Sequence, residues 1–179
     1  MGFPHRIETG RMVLRLYRSQ DIDSVVEIMA NWEVTQWLST NIPFPFSRVD
    51  GEAHIKEAIS DFNDGTSFRY AIEDTETARF IGSIRVFSLT EETEIGYSVH
   101  PDFWGKGLGT EMLVAAIGAG FETGVIKCFF AMTASDNHGS RRILEKVGFR
   151  HVGSPPPALQ RCGHGQGCSE YFRLTKEDW

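Results

Sequence analysis

The chain has 179 residues, 41% of them apolar and 23% charged, which predicts one globular domain with a substantial core. Eighteen basic against 24 acidic residues give a formal net charge of −6; with no basic run or stripe, nucleic acid is excluded as a partner, and an acidic surface suits an amine substrate. No apolar run reaches the length of about 18 residues that a transmembrane helix needs, and Met1 to Arg6 lacks the apolar stretch of a signal peptide. The three cysteines, Cys128, Cys162 and Cys168, are an odd set in a chain with no sign of secretion, so reduced thiols and a cytoplasmic location are expected. Cys162, His164 and Cys168 lie in one Gly-rich loop, but their spacing matches no familiar zinc pattern, and no metal is expected.

Arg11 to Tyr17 reads as an opening strand. Ser19 or Asp21 then caps a helix whose apolar face is Ile22, Val25, Val26 and Met29. A loop rich in aromatics and prolines runs from Trp32 through Trp37 to Phe46. A second helix, capped near Asp50, carries Ile55, Ala58, Ile59 and Phe62 and stops at Gly65. Phe68–Ile72, Phe80–Phe87 and Thr93–Val99 follow as a three-strand meander. The next helix presents Leu108, Met112, Ala115 and Ala119 on one face. Lys127–Met132 is short and continuously apolar, so it is central. A short helix from Asn137 to Lys146, a strand Phe149–Val152 and a last strand Glu170–Leu174 complete the order. This is an α/β chain with one central mixed, mostly antiparallel sheet of about seven strands and helices on both faces.

The stretch Val99 to Thr110 carries the chemistry. It leaves a strand, turns at Pro101, passes Gly105, Gly107 and Gly109 and enters a helix. A Gly-rich turn at a helix start presents backbone N–H groups, and with the positive end of the helix dipole it favours a diphosphate. The donors are the N–H groups of Gly105, Lys106, Gly107, Leu108, Gly109 and Thr110. The string is neither a P-loop nor the G-x-G-x-x-G dinucleotide fingerprint.

What does fit is x-x-x-G-x-G between a strand and a helix, followed farther on by Asn137 after a central strand and by Glu145-Lys146-x-Gly148-Phe149. Together these resemble the GNAT N-acetyltransferases. Glu94-Ile95-Gly96-Tyr97, Tyr171 and Trp179 are similar to the branch of RimJ/RimL-type ribosomal-protein N-terminal acetyltransferases. The likeness covers residues 9–179 within a single domain of 1–179.

The resemblance implies the GNAT fold, acetyl-CoA as co-substrate and direct attack of a primary amine on the thioester. The acceptor is a protein N-terminal α-amine or a small-molecule amine, and the protein a monomer or a homodimer. The resemblance also implies that the strand ending in Ser98 and Val99 splays from its neighbour and pairs its backbone with the pantetheine arm, although Val99 equally suits the core. Trp104 stands where many relatives have Arg or Gln, so the backbone N–H groups and Lys106 carry more of the phosphate. Glu94, sharing a face with Gly96 and Ser98, is the candidate general base, directly or through water; a solvated glutamate is the plain alternative. Asn137 holds the pantetheine amide or caps its helix. Ser140 relays a proton to the sulfur or is simply polar. Ile143 and Leu144 stand where many relatives place a tyrosine acid. Tyr97, Tyr171 and His164 are lesser candidates, Tyr97 as a packed side chain. Trp37, Phe44 and Phe46 wall the acceptor pocket or support the second helix. The competing class is a non-catalytic acyl-CoA-binding regulatory module, which would need neither Glu94 nor Ser140.

Overall fold

The computed structural model describes residues 2–156 and 169–179; Cys162, His164 and Cys168 lie outside them. Among these residues eight strands form one sheet: β1 (Arg6–Glu8), β2 (Met12–Arg15), β3 (Phe68–Asp74), β4 (Phe80–Val86), β5 (Glu92–Val99), β6 (Cys128–Ala134), β7 (Arg150–Gly153) and β8 (Ser169–Thr175). The spatial order is β1-β2-β3-β4-β5-β6-β8-β7. Every neighbouring pair is antiparallel except β5 and β6, which are parallel and joined through a helix. The helices are α1 (Ile22–Met29), α2 (Trp32–Thr35), α3 (Arg48–Asp64), α4 (Leu108–Glu122) and α5 (His138–Val147). None of the described helices is long and apolar enough to cross a membrane.

Strand alternation sends side chains to two cores. Met12, Leu14, Tyr70, Ile72, Ile84, Val86 and Ile95 meet α4 through Met112, Leu113, Ala116 and Ile117. On the other face Tyr17, Ala71 and Phe80 meet Val25, Ile28 and Met29 of α1 and Ile55 and Ala58 of α3. Arg15 on this second face is tied to Asp21 and Glu73.

Several sequence expectations shift. The first helix is preceded by a 3-10 turn, Ser19–Asp21, and Asp21 accepts from Arg18 N while gripping the Arg15 guanidinium instead of capping the helix. The cap of α3 is Ser47, not Asp50. Ser47 accepts from the Asp50 N–H, and the Asp50 carboxylate accepts from the Ser47 N–H, a reciprocal capping box. The buried face of α4 is Leu108, Met112, Leu113, Ala116, Ile117, Gly120 and Phe121, with Ala115 and Ala119 at its margin. Gly120 sets the distance to the sheet there, since a Cβ would stand 2.4 Å from the Phe129 ring.

Candidate active site

The parallel ladder between β5 and β6 runs only from Glu92–Cys128 to Glu94–Phe130. Beyond it β5 stays paired with β4 as far as Val99, and β6 stays paired with β8 as far as Ala134. The two strands therefore part, leaving backbone donors and acceptors on both banks for something other than each other. The opening belongs to a cleft of about 1200 Å³, lined by Ile95 to Val99 on one bank and Ala131 to Ala134 on the other. That exceeds the usual range of small-ligand pockets, roughly 300–1,000 Å³.

One end of the cleft is the Gly loop. Gly105 and Gly107 have φ of +73° and +78°, a conformation that side chains with a Cβ rarely adopt. Gly107 is the N-cap of α4 and offers no side-chain oxygen, so the first-turn N–H groups of Leu108, Gly109 and Thr110 have no cap. Gly105, Gly107, Leu108, Gly109 and Thr110 all line the cleft. Gly109 also has a packing reason to be small: a Cβ there would stand 2.8 Å from Ile143 Cδ1, so it lets α4 and α5 approach. The Lys106 ammonium sits over the Phe103 ring at 5.1 Å, and its carbonyl accepts from Arg11 Nη1 at 2.9 Å. Its side chain is not part of the cleft wall, unlike the expected phosphate contact; Arg11, pinned by Glu111, is a loop neighbour that the sequence reading misses. Trp104 is 47% exposed and donates its indole N–H to the Val99 carbonyl at 2.8 Å. That carbonyl, expected to serve the pantetheine arm, already holds one donor.

At the parting of the strands both faces of β5 reach the cleft. Glu94, Gly96 and Ser98 face the α1–α3 side, and the Ser98 hydroxyl lies 3.0 Å from that of Ser83. Tyr97 faces the other side, where its hydroxyl meets Ser140 Oγ at 2.9 Å. Burial pushes the Tyr97 phenol up to about 12, against a smaller opposing effect of the Ser140 hydrogen bond. A tyrosine hydroxyl thus stands against the first turn of α5, contributed by the strand facing that helix and not by the helix itself. The only signal for it in the sequence is alternation, which puts Tyr97 opposite Glu94 and in phase with Val99. Asn137 caps α5 by accepting from Ser140 N at 3.1 Å, and it also lines the cleft.

The far end opens between α1, α3 and the sheet. Trp37 and Phe46 line it, Phe46 also belonging to the second core. Phe44 does not: it is 40% exposed and packs on Trp32, with ring centroids 4.8 Å apart. In the Phe44–Phe46 stretch the sequence cannot tell which ring turns inward. His54 from α3, Arg69 from β3 and Arg85 from β4 also line this end. Burial, then the charges of Arg69 and Arg85, pulls the His54 ring down to about 3 and keeps it neutral. Sequence reasoning misses this trio, although Phe68-Arg69-Tyr70-Ala71-Ile72 places an arginine in phase with Ala71 in an otherwise apolar strand. Among the described residues no cluster of three or more His, Cys, Asp or Glu side chains is placed to hold a metal ion.

Comparison with known proteins places this architecture. The family described as Acetyltransferase (GNAT) domain matches residues 11–150. The chain is 27% identical over 157 residues to the uncharacterized N-acetyltransferase YoaA of Bacillus subtilis (strain 168), covering 82% of this chain and 84% of that protein. It is 26% identical over 189 residues to the [ribosomal protein uS5]-alanine N-acetyltransferase of Escherichia coli (strain K12), covering 97% and 92%. Among solved structures, RimJ of Mycobacterium smegmatis in complex with CoA-disulfide superposes with a TM-score of 0.83 at 19% identity, covering 99% of this chain and 91% of that one.

Proposed function

Since the chain belongs to the GNAT acetyltransferase family and is an acetyl-CoA-dependent acyltransferase, we propose that it acetylates a primary amine by direct attack, with Glu94 as base and the Tyr97–Ser140 pair serving the sulfur. The observation that carries this is the parting of β5 and β6 beyond Glu94 and Phe130, which opens both faces of one strand to a single cleft. The fit to coenzyme A rests on the left-handed Gly105 and Gly107 and the uncapped N–H groups that follow them.

The residues divide the work. The N–H groups from Gly105 to Thr110 hold the diphosphate, and the unpaired bank of β5 orders the pantetheine arm. An attacking amine must be neutral, yet an alkyl ammonium has a pKa near 10.4 and an N-terminal α-amine near 8. Glu94 takes that proton, directly or through a water. On the opposite face of the strand Ser140 Oγ, backed by Tyr97, donates toward the departing sulfur. With the phenol held near 12, Tyr97 keeps its hydrogen throughout the neutral range. Asn137 fixes the α5 turn that carries Ser140. The acceptor enters from the Trp37 and Phe46 side, as an N-terminal α-amine of a protein or as a small amine; a relative named as a ribosomal protein uS5-alanine N-acetyltransferase supports a protein acceptor.

Release of CoA from acetyl-CoA, measured against a panel of peptides and small amines, tests this reading. Glu94→Gln is expected to lower kcat at least about 100-fold while leaving the KM for acetyl-CoA unchanged. Tyr97→Phe should lower kcat about tenfold or less, the effect of one neutral hydrogen bond. Unchanged turnover in Glu94→Gln would remove the base assignment.

A further inference from the structure

Arg69 and Arg85 stand opposite each other on β3 and β4, at the acceptor end of the cleft. The Arg69 side chain is only 5% exposed, yet it is poorly satisfied. Among the described residues its Nε has no partner. Its Nη1 reaches the ring Nδ1 and the carbonyl of His54 only at 3.4 and 3.3 Å. Its Nη2 stands 3.6 Å from Glu57 and 3.9 Å from Asp61. Arg15, on the same face of the sheet and 6% exposed, shows a completed site: Nε reaches Glu73 at 2.7 Å, and Nη1 and Nη2 reach Asp21 at 2.8 Å each. Buried guanidinium groups are ordinarily matched to acceptors in this second way.

The surroundings of Arg69 are rich in donors. The neutral His54 ring turns Nδ1 toward Arg69, which assigns its hydrogen to Nε2, and Nε2 has no partner among the described residues. The hydroxyls of Ser83 and Ser98 lie on the same face. Arg85 is held in place by Ser67 at 2.7 Å and by the Phe87 ring, 4.4 Å beneath it. Three carboxylates also face the pair. Glu57 is largely in solvent, Asp61 reaches Arg85 at 3.5 Å, and Glu94 is the proposed base that interacts with Arg85 through its charge. They offset the charge but leave the Arg69 Nε donor unfilled. A planar oxyacid with two acceptor oxygens is the group that such a fork takes.

Resting on the acetyl-transfer reading above, we propose that the amine acceptor carries a carboxylate, seated on the Arg69 fork with Arg85 and His54 beside it. The class is the amino-carboxylates: free amino acids and their analogues, or a peptide whose acidic residue lies beside its terminal amine.

Matched ligands on the wild-type protein test this without a variant. In thermal-shift titrations, N-acetyl amino acids are compared with their N-acetyl amides, while acetyl-CoA is titrated separately. CoA release is then measured with the parent amino acids, their amides, the decarboxylated amines, and short peptides with Asp or Ala at the second position. A carboxylate that raises Tm where its amide does not, with kcat/KM favouring it about 10- to 100-fold, is the expected result. Arg85→Gln and Arg69→Lys should shrink that ratio through KM. Preference for the Asp peptide over every free amino acid would place the carboxylate on a protein. Amides and decarboxylated amines bound and used as well as the acids would overturn the inference, leaving Arg69 to ordered water, with acetyl transfer intact. A protein that does not bind acetyl-CoA would instead overturn the proposed function, whatever the N-acetyl amino acids do.

Discussion

At one end of the cleft the working parts are backbone, and at the other they are side chains. The Gly105–Thr110 loop offers N–H groups whose positions follow from two left-handed glycines and a helix start. The opposite end, where we propose that the acceptor binds, is assembled from His54 on α3, Arg69 on β3, Arg85 on β4 and Phe46 before α3, which no local pattern connects. A backbone site can be read from the spacing of a few small residues, because glycine is needed where it stands. A side-chain site depends on register and packing, which appear only once the sheet is formed. Two arginines on one face make the same point: Arg15 is saturated at 2.7–2.8 Å and Arg69 is not, although both sit in strands of ordinary apolar sequence.

The widest separation between the two kinds of residue is expected within the aromatic loop. Phe46→Ala should cost about 3–5 kcal/mol of stability, as for other buried phenylalanines, whereas Phe44→Ala should cost well under 1 kcal/mol. Paired denaturant unfolding curves measure the difference, and equal losses would mean that Phe44 is not the outward ring.

Next comes His54. With the ring held near 3 in the fold and near 6.5 when unfolded, the unfolded chain takes up a proton that the folded one refuses as pH falls below about 6.5. Stability is therefore lost on acidification, by about 2 kcal/mol from this group at pH 5. The slope continues downward toward pH 3. His54→Gln should flatten the pH dependence of Tm between 6.5 and 4; an unchanged slope would show that the ring is not excluded from its proton.

A third effect is expected at the backbone end. Gly107→Val must adopt φ near +78°, which costs about 1–3 kcal/mol and turns the N–H groups of the α4 start. Weakening of acetyl-CoA binding by about tenfold or more, read by calorimetry, would sharpen the contrast. Unaltered affinity would mean that the loop geometry is incidental.

The same contrast explains what the sequence displays. The meander, the central β6, the Gly loop and α5 are strongly patterned, and each is found in place. The eighth strand is missed because Arg6–Glu8 is three mostly polar residues, paired only by the edge of β2. The short helix α2 is hidden inside the aromatic loop, although Asn31 caps it. On α4 nearly every position is apolar, so periodicity cannot choose between Ala115 and Ala116. Tyr97 looks like core because its partner Ser140 lies 43 residues away on another element. Glycine spacing does not show every constraint at Gly109, which lines the cleft and also lets Ile143 of α5 come close.

If the parted strands and the Gly loop form a coenzyme A site, acetyl-CoA and CoA stabilise the fold and NAD does not, which a thermal-shift titration with the three ligands in parallel reads. Ligands that bind only the folded state raise Tm by mass action. Tm is expected to rise with the concentration of acetyl-CoA and of CoA and to stay constant with NAD. No shift with either thioester or thiol, or an equal shift with NAD, would contradict it.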